Sequence, residues 1–180
     1  MEGDTLLITV IPNDPVYSGF MPKAHYPWSQ QHQLEREQAE TNEAFRQVIP
    51  YVLIKCEDRW LVYQRCKGGE PRLDAKWSMG IGGHMEETDL TAALARELKE
   101  EVAIGSRILS KEYIGLIALH ATPVDRVHIG VVYVYTIEKP YVCSVDTAVT
   151  NLHFRLPMDI AEDLDLEPWS RILYGEVVCK

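Results

Sequence analysis

An α/β fold, with a mixed β-sheet and helices packed on it, is what this sequence predicts, and three observations carry the prediction. After Phe45 the chain runs strands, one helix, strands, one helix, as read from its apolar periodicity. Its 180 residues suit a single domain, and its 46% hydrophobic and 25% charged residues are those of a globular protein. Cys56, Cys66, Cys143 and Cys179 are scattered, without zinc-ligand spacing; they could make two disulfides, but a chain of this length buries enough core not to need them.

The elements follow in order. Thr5 to Ile11 has the β-branched content of a strand. Pro12, Pro15, Gly19, Pro22 and Pro27 then break the chain. From Ser29, a suitable N-cap, the Gln- and Glu-rich stretch to Ala44 predicts a polar helix. Gln47 to Lys55 is a nearly continuous apolar run, as a buried strand should be, and Arg59 to Arg65 predicts a second strand across the short link Cys56-Glu57-Asp58. A loop rich in Gly and Lys, Lys67 to Lys76, leads to an extended piece at Trp77–Met79 and then to Gly80, Gly82 and Gly83. A helix from Asp89 to Ala103 is stopped by Gly105. Strands are predicted at Tyr113–Leu119, Val127–Ile137 and Leu152–Leu156, and a last helix opens at Glu167-Pro168.

Charge and termini narrow the function. With 27 acidic against 18 basic residues the net charge is −9, which disfavours non-specific binding to nucleic acid or anionic membrane. An anionic small substrate stays open, because a bound divalent cation reverses the local potential. The start Met1-Glu2-Gly3-Asp4 is acidic where a signal peptide is basic, and no apolar run is long enough to span a bilayer. A cytoplasmic protein with reduced thiols is expected.

The segment from Gly80 to Gly105 stands out. On a helix Glu97, Glu100 and Glu101 fall at i, i+3 and i+4 on one face, beside a stripe of Leu94, Ala95, Leu98 and Val102 that would pack on the sheet. Like charges at this spacing repel, and hard oxygen ligands beside a Gly-rich turn are what Mg²⁺ or Mn²⁺ takes. Periodicity alone favours a solvated helix face for the same glutamates, and the Gly-Gly turn upstream is what brings the metal site level with it.

This segment resembles the Nudix box, G-x5-E-x7-R-E-U-x-E-E-x-G-U with U a bulky aliphatic residue. Gly82, Arg96, Glu97, Leu98, Glu100, Glu101 and Ile104 match, while Thr88 replaces the first Glu and Ala103 the second Gly. The resemblance implies a Nudix-like α/β/α sandwich with a mixed sheet over residues 46–178, and leaves residues 1–45 as an N-terminal strand-helix extension. It also implies an Mg²⁺- or Mn²⁺-dependent hydrolase (a pyrophosphatase) that splits the diphosphate of a nucleoside diphosphate linked to X by water attack at phosphorus. In these terms Glu97, Glu100, Glu101 and the carbonyl of Gly82 are metal ligands, and Glu97, Glu100 and Arg96 carry the catalysis. The missing Glu at 88 leaves Arg96 to pair with Glu100, Glu86 or Glu87.

Arg65 and Lys67, in a basic cluster with Arg72 and Lys76, and His84 after the Gly pair are the candidate substrate-binding residues. The partner expected is a small diphosphate compound, and the apolar N-terminal strand suits a homodimer contact. A second reading is a catalytically silent Nudix-like module that binds a nucleotide or a protein. A third, an isopentenyl diphosphate isomerase, lacks its Cys-containing substrate motif here.

Overall fold

A computed structural model describes residues 6–66 and 75–180. In chain order the strands are β1 (Leu7–Pro12), β2 (Gly19–Pro22), β3 (His32–Glu35), β4 (Phe45–Cys56), β5 (Arg59–Arg65), β6 (Trp77–Ser78), β7 (Gly80–Ile81), β8 (Val102–Ile104), β9 (Ile108–Ala118), β10 (His128–Ile137), β11 (Val142–Ser144) and β12 (Val149–Arg155). The helices are α1 (Arg36–Ala39), α2 (Leu90–Glu101), α3 (Pro123–Arg126), α4 (Pro157–Asp163) and α5 (Pro168–Leu173). The chain forms two compact units: Met1–Tyr51, Gly82–Ala95 and Tyr113–Val132 make the first, and Val52–Ile81, Arg96–Glu112 and Tyr133–Lys180 the second.

In the first unit β1 runs antiparallel to β3, from Leu7 opposite Glu35 to Val10 opposite His32, and to the start of β4, with Val10 opposite Gln47. Ile8, Val10 and Ala39 form a buried cluster closed by Leu34 and Phe45. The polar helix expected from Ser29 to Ala44 is not formed. That stretch is a 3₁₀ turn at Trp28–Gln30, then β3, then the single turn α1. Glu and Gln favour helix, but β1 presents an unpaired edge, and only an extended His32–Glu35 can satisfy it while turning Leu34 onto Ile8 and Val10.

The same strands hold the loop that precedes α2. Thr9 N donates to the Met85 carbonyl at 2.6 Å and Thr9 Oγ1 to the Glu87 carbonyl at 2.6 Å. Gln33 Nε2 donates to the Glu86 carbonyl at 2.9 Å, Gln31 Nε2 to the Thr88 carbonyl at 3.3 Å, and Met85 N to the Val48 carbonyl at 3.0 Å. Residues 6–45 thus pack into this unit and tie down four successive carbonyls of an irregular segment.

In the second unit β5 pairs antiparallel with β12, with β6 and, across the hairpin, with the end of β4. β7 pairs with β4 through Val52–Ile81 and Leu53–Gly80, and one parallel bridge joins Trp77 to Leu166. Helix α2 ends at Glu101, two residues before the expected Ala103, and Gly105 is not its stop. Val102–Ile104 extends instead as β8 against β11, with Gly105 N donating to the Tyr141 carbonyl at 2.8 Å. The free carbonyl of Glu101 accepts Val145 N at 2.9 Å and Asp146 N at 3.3 Å, which terminates the helix, and Val and Ile suit the strand that follows.

Two glycines are required by close approach. A Cβ on Gly82 would lie 1.9 Å from the carbonyl oxygen of Pro50 in β4. Gly115 has φ +148° and a Cβ there would meet the Met21 carbonyl at 2.3 Å, where β2 and β9 pair Pro22 with Gly115. Gly115→Ala is therefore expected to cost about 2–4 kcal/mol, read as a lowered urea midpoint. Amide exchange should accelerate first along β2.

Candidate metal and diphosphate site

Helix α2 opens at Asp89, whose Oδ1 accepts Thr91 N at 3.0 Å. Thr88 is exposed and is not the cap. The buried stripe of the helix is Leu90, Ala93, Leu94 and Glu97, and Ala95 faces solvent. This corrects the expected stripe. Glu97 is only 7% exposed and lies within the seam rather than beside it; Glu101 continues the seam, and Glu100 is exposed. The i, i+3, i+4 spacing therefore separates the three carboxylates by environment: Glu97 and Glu101 are drawn inward and Glu100 outward.

Glu101 has an oxygen, Oε2, that is buried with no hydrogen-bond partner among the described residues. Burial is the main cause that pushes its carboxyl up to about 7. The Arg65 guanidinium opposes that rise, while the negative charges of Glu97, Asp146 and Glu100 add to it. Arg65 closes β5, donates from Nη2 to Tyr63 Oη at 3.2 Å and lies against the Tyr63 ring. Tyr63 Oη donates in turn to the Gly80 carbonyl at 2.8 Å, and its burial raises it to about 12. Tyr63 and Asp146 were not legible as site residues, because an apolar strand and a distant loop carry no local signal of meeting a helix end.

Arg96 supplies the counter-charge on the open side. Its Nη1 lies 2.7 Å from Glu97 Oε1 and 3.1 Å from Glu100 Oε2. The pairing with Glu100 matches one of the expected alternatives, and the bond to Glu97 was not anticipated. Ala103, at the second Gly position of the box, has ordinary strand backbone opposite Cys143, so a Cβ there costs nothing.

The remaining expected residues fall as follows. Arg65 shares the second unit with the glutamates; Gly82 and His84 belong to the first; Lys67 lies outside the described residues. His84 meets His128, with Nε2 atoms 3.2 Å apart.

Among the described residues no three His, Cys, Asp or Glu side chains are gathered around one point as metal ligands. The chemistry of the donors nonetheless fits a hard divalent cation: carboxylates on one helix, one of them with a buried oxygen that has no donor and a charge its neighbours repel. Arg96 is paired with both Glu97 and Glu100.

No family model matches the chain. Over 111 residues it is 40% identical to protein YmaB of Bacillus subtilis (strain 168), a match covering 55% of this chain and 53% of YmaB, so the chain spans about half the length of that relative. The crystal structure of Tm1382, described as a candidate Nudix hydrolase, superposes with a TM-score of 0.78 at 25% identity, over 96% of this chain and 98% of that one. The fold is that of the Nudix hydrolases. The Nudix domain of Shewanella oneidensis NrtR, solved with ADP ribose, shares it at a TM-score of 0.60 and 14% identity, over 73% of this chain and 85% of that one. Within the Nudix fold the box resemblance, from Gly82 to Ile104, falls on the turn, helix α2 and strand β8.

Two predictions follow from this geometry. Glu101 holds its proton to about 7 when folded and to 4.5 when unfolded, so between these values the folded state binds the extra proton and stability falls as pH rises. Glu101→Gln removes that slope. In metal-free protein it should be neutral below pH 4.5 and stabilising by up to about 3 kcal/mol above pH 7, measured by urea unfolding at both ends. Thr88→Glu, at an exposed site, should change stability by no more than about 1 kcal/mol in the same assay.

Proposed function

We propose that the chain is a hydrolase of a diphosphate linkage in a nucleoside diphosphate linked to X, working with Mg²⁺ or Mn²⁺. The observation that carries this reading is the placement of Glu97 in the buried seam of α2, with half-buried Glu101 turning one buried oxygen inward one turn later, inside a Nudix box on a Nudix fold. A helix built only for packing would put apolar side chains there.

Glu97, Glu100 and Glu101, all in the second unit, are the groups that would hold the metal. Bound, it would supply a Lewis acid to the diphosphate and lower the pKa of a coordinated water. The protein's own part lies in its carboxylates and arginines. Glu97, Glu100 and Glu101 are the carboxylates from which one would accept a proton from attacking water. Arg96 holds Glu97 and Glu100 in place, at 2.7 and 3.1 Å. Arg65 keeps positive charge facing Glu101 and so sets how easily a proton leaves it.

The reading as a silent binding module rests on one observation, that Arg96 engages two of the three carboxylates and no three-ligand group is formed among the described residues. A panel of diphosphate compounds that includes ADP-ribose, nucleotide sugars, dinucleotides and nucleoside triphosphates, assayed with Mg²⁺ or Mn²⁺ and resolved by mass, separates the two. Turnover of one class is expected; tight binding without turnover would favour the module. At ten times its dissociation constant Mg²⁺ should stabilise the parent by about 1.4 kcal/mol, at matched ionic strength. Glu97→Gln and Glu101→Gln should each lose most of that gain together with the turnover.

A further inference from the structure

The first unit holds a second concentration of chemistry. His84, two residues beyond Gly82, and His128, the first residue of β10, bring their Nε2 atoms to 3.2 Å, and both rings are half-buried. His128 is fixed from its far side, with Nδ1 2.7 Å from the Val124 carbonyl in α3. A carbonyl can only accept, so Nδ1 carries the hydrogen and Nε2 turns its lone pair to His84. The backbone is fixed as well. The His128 carbonyl accepts Nη1 of the fully buried Arg46 at 2.8 Å, and the same nitrogen reaches the Asp125 carbonyl at 3.0 Å. Arg46 Nε donates to Asn13 Oδ1 at 2.6 Å.

We propose that His84 and His128 are two ligands of a site for a borderline transition-metal ion of the Zn²⁺ type, with water in its open positions. This proposal uses other residues than the carboxylates of α2 and does not rest on the hydrolase reading. Two Zn–N bonds of about 2.0–2.1 Å put their nitrogens about 2.9 Å apart at a right angle and about 3.3–3.4 Å apart at the tetrahedral angle. The observed 3.2 Å lies between. Two imidazoles converging on a tetrahedral centre would have ring centroids about 5.2 Å apart; these stand at 5.3 Å. The carbonyl on Nδ1 of His128 is the outer partner that orients a metal-binding imidazole.

Without metal, His84 donates its Nε2 hydrogen to His128. Binding requires both Nε2 atoms without a hydrogen, so that of His84 must leave Nε2 while that of His128 stays on Nδ1. Imidazole nitrogen selects Zn²⁺, Ni²⁺ or Cu²⁺ over Mg²⁺, so the two sites answer to different ions.

The test uses the full chain stripped with EDTA, titrated with Zn²⁺ near neutral pH and followed by ¹⁵N-detected imidazole resonances and by calorimetry. Zn²⁺ should move the Nε2 resonances of both His84 and His128, and Mg²⁺ neither. His84→Gln and His128→Gln should each weaken this binding event about ten-fold or more, while Glu101→Gln leaves it in place. Urea midpoints of the stripped variants establish that each is folded; if His128→Gln is not, the resonances of the parent and His84→Gln decide. Zn²⁺ that moves neither imidazole or only one, or that binds His84→Gln as tightly as the parent, would overturn the proposal.

Discussion

Two carboxylates on the inward side of one helix set the terms for the rest of the candidate site. Glu97 and Glu101 occupy seam positions of α2 that follow Leu90, Ala93 and Leu94. Burying a carboxylate costs several kcal/mol unless it is paired or protonated, and the structure uses both remedies. Glu97 takes Arg96 at 2.7 Å; Glu101 faces Arg65 and keeps its proton to about 7. The rest of the surroundings follow from this. Tyr63 engages Arg65, and the Val145–Asp146 backbone closes the helix at the Glu101 carbonyl while bringing a further acid near. Such a seam sacrifices packing energy, which makes it intelligible as a site for positive charge.

The loop before α2 is irregular, and irregular backbone must find partners outside regular ladders. In the first unit these partners are polar side chains of β1, of β3 and of the residue just before β3: Thr9, Gln33 and Gln31 reach the carbonyls of Glu87, Glu86 and Thr88. The Gln-rich character of residues 30–38 is thereby explained in part. At Gln31 and Gln33 these are donors aimed at a loop and not the solvated face of a helix. Arg46 does comparable work nearby, with a side chain removed from water and lowered in pKa by that burial, spending its donors on the carbonyls of Leu119, Asp125 and His128.

Much of the fold and part of the site were legible in advance. The apolar runs at β4, β5 and β10 and the Pro-opened α5 have local causes, namely periodicity, β-branching and a fixed proline φ, and they stand where those causes place them. The spacing of Arg96, Glu97, Glu100 and Glu101 is likewise local, and so is the i, i+4 pair of Arg96 with Glu100. The stretch 29–44 failed for the opposite reason. Its helical propensity amounts to a few tenths of a kcal/mol per residue, and the demand of a strand edge outweighs it.

What the sequence by itself determined is therefore which residues are offered: a Gly turn, a helix with three glutamates and an arginine, and the strands around them. What only the tertiary structure decided is which of those glutamates lose water. The angular spacing of a helix is blind to the direction in which the sheet lies, so Glu97 became buried, Glu101 half-buried with one oxygen out of water, and Glu100 exposed through packing alone. The same holds for Tyr63, Asp146 and the His84–His128 pair. Each is brought to its partner across a long stretch of chain, by contacts between elements that no local spacing encodes.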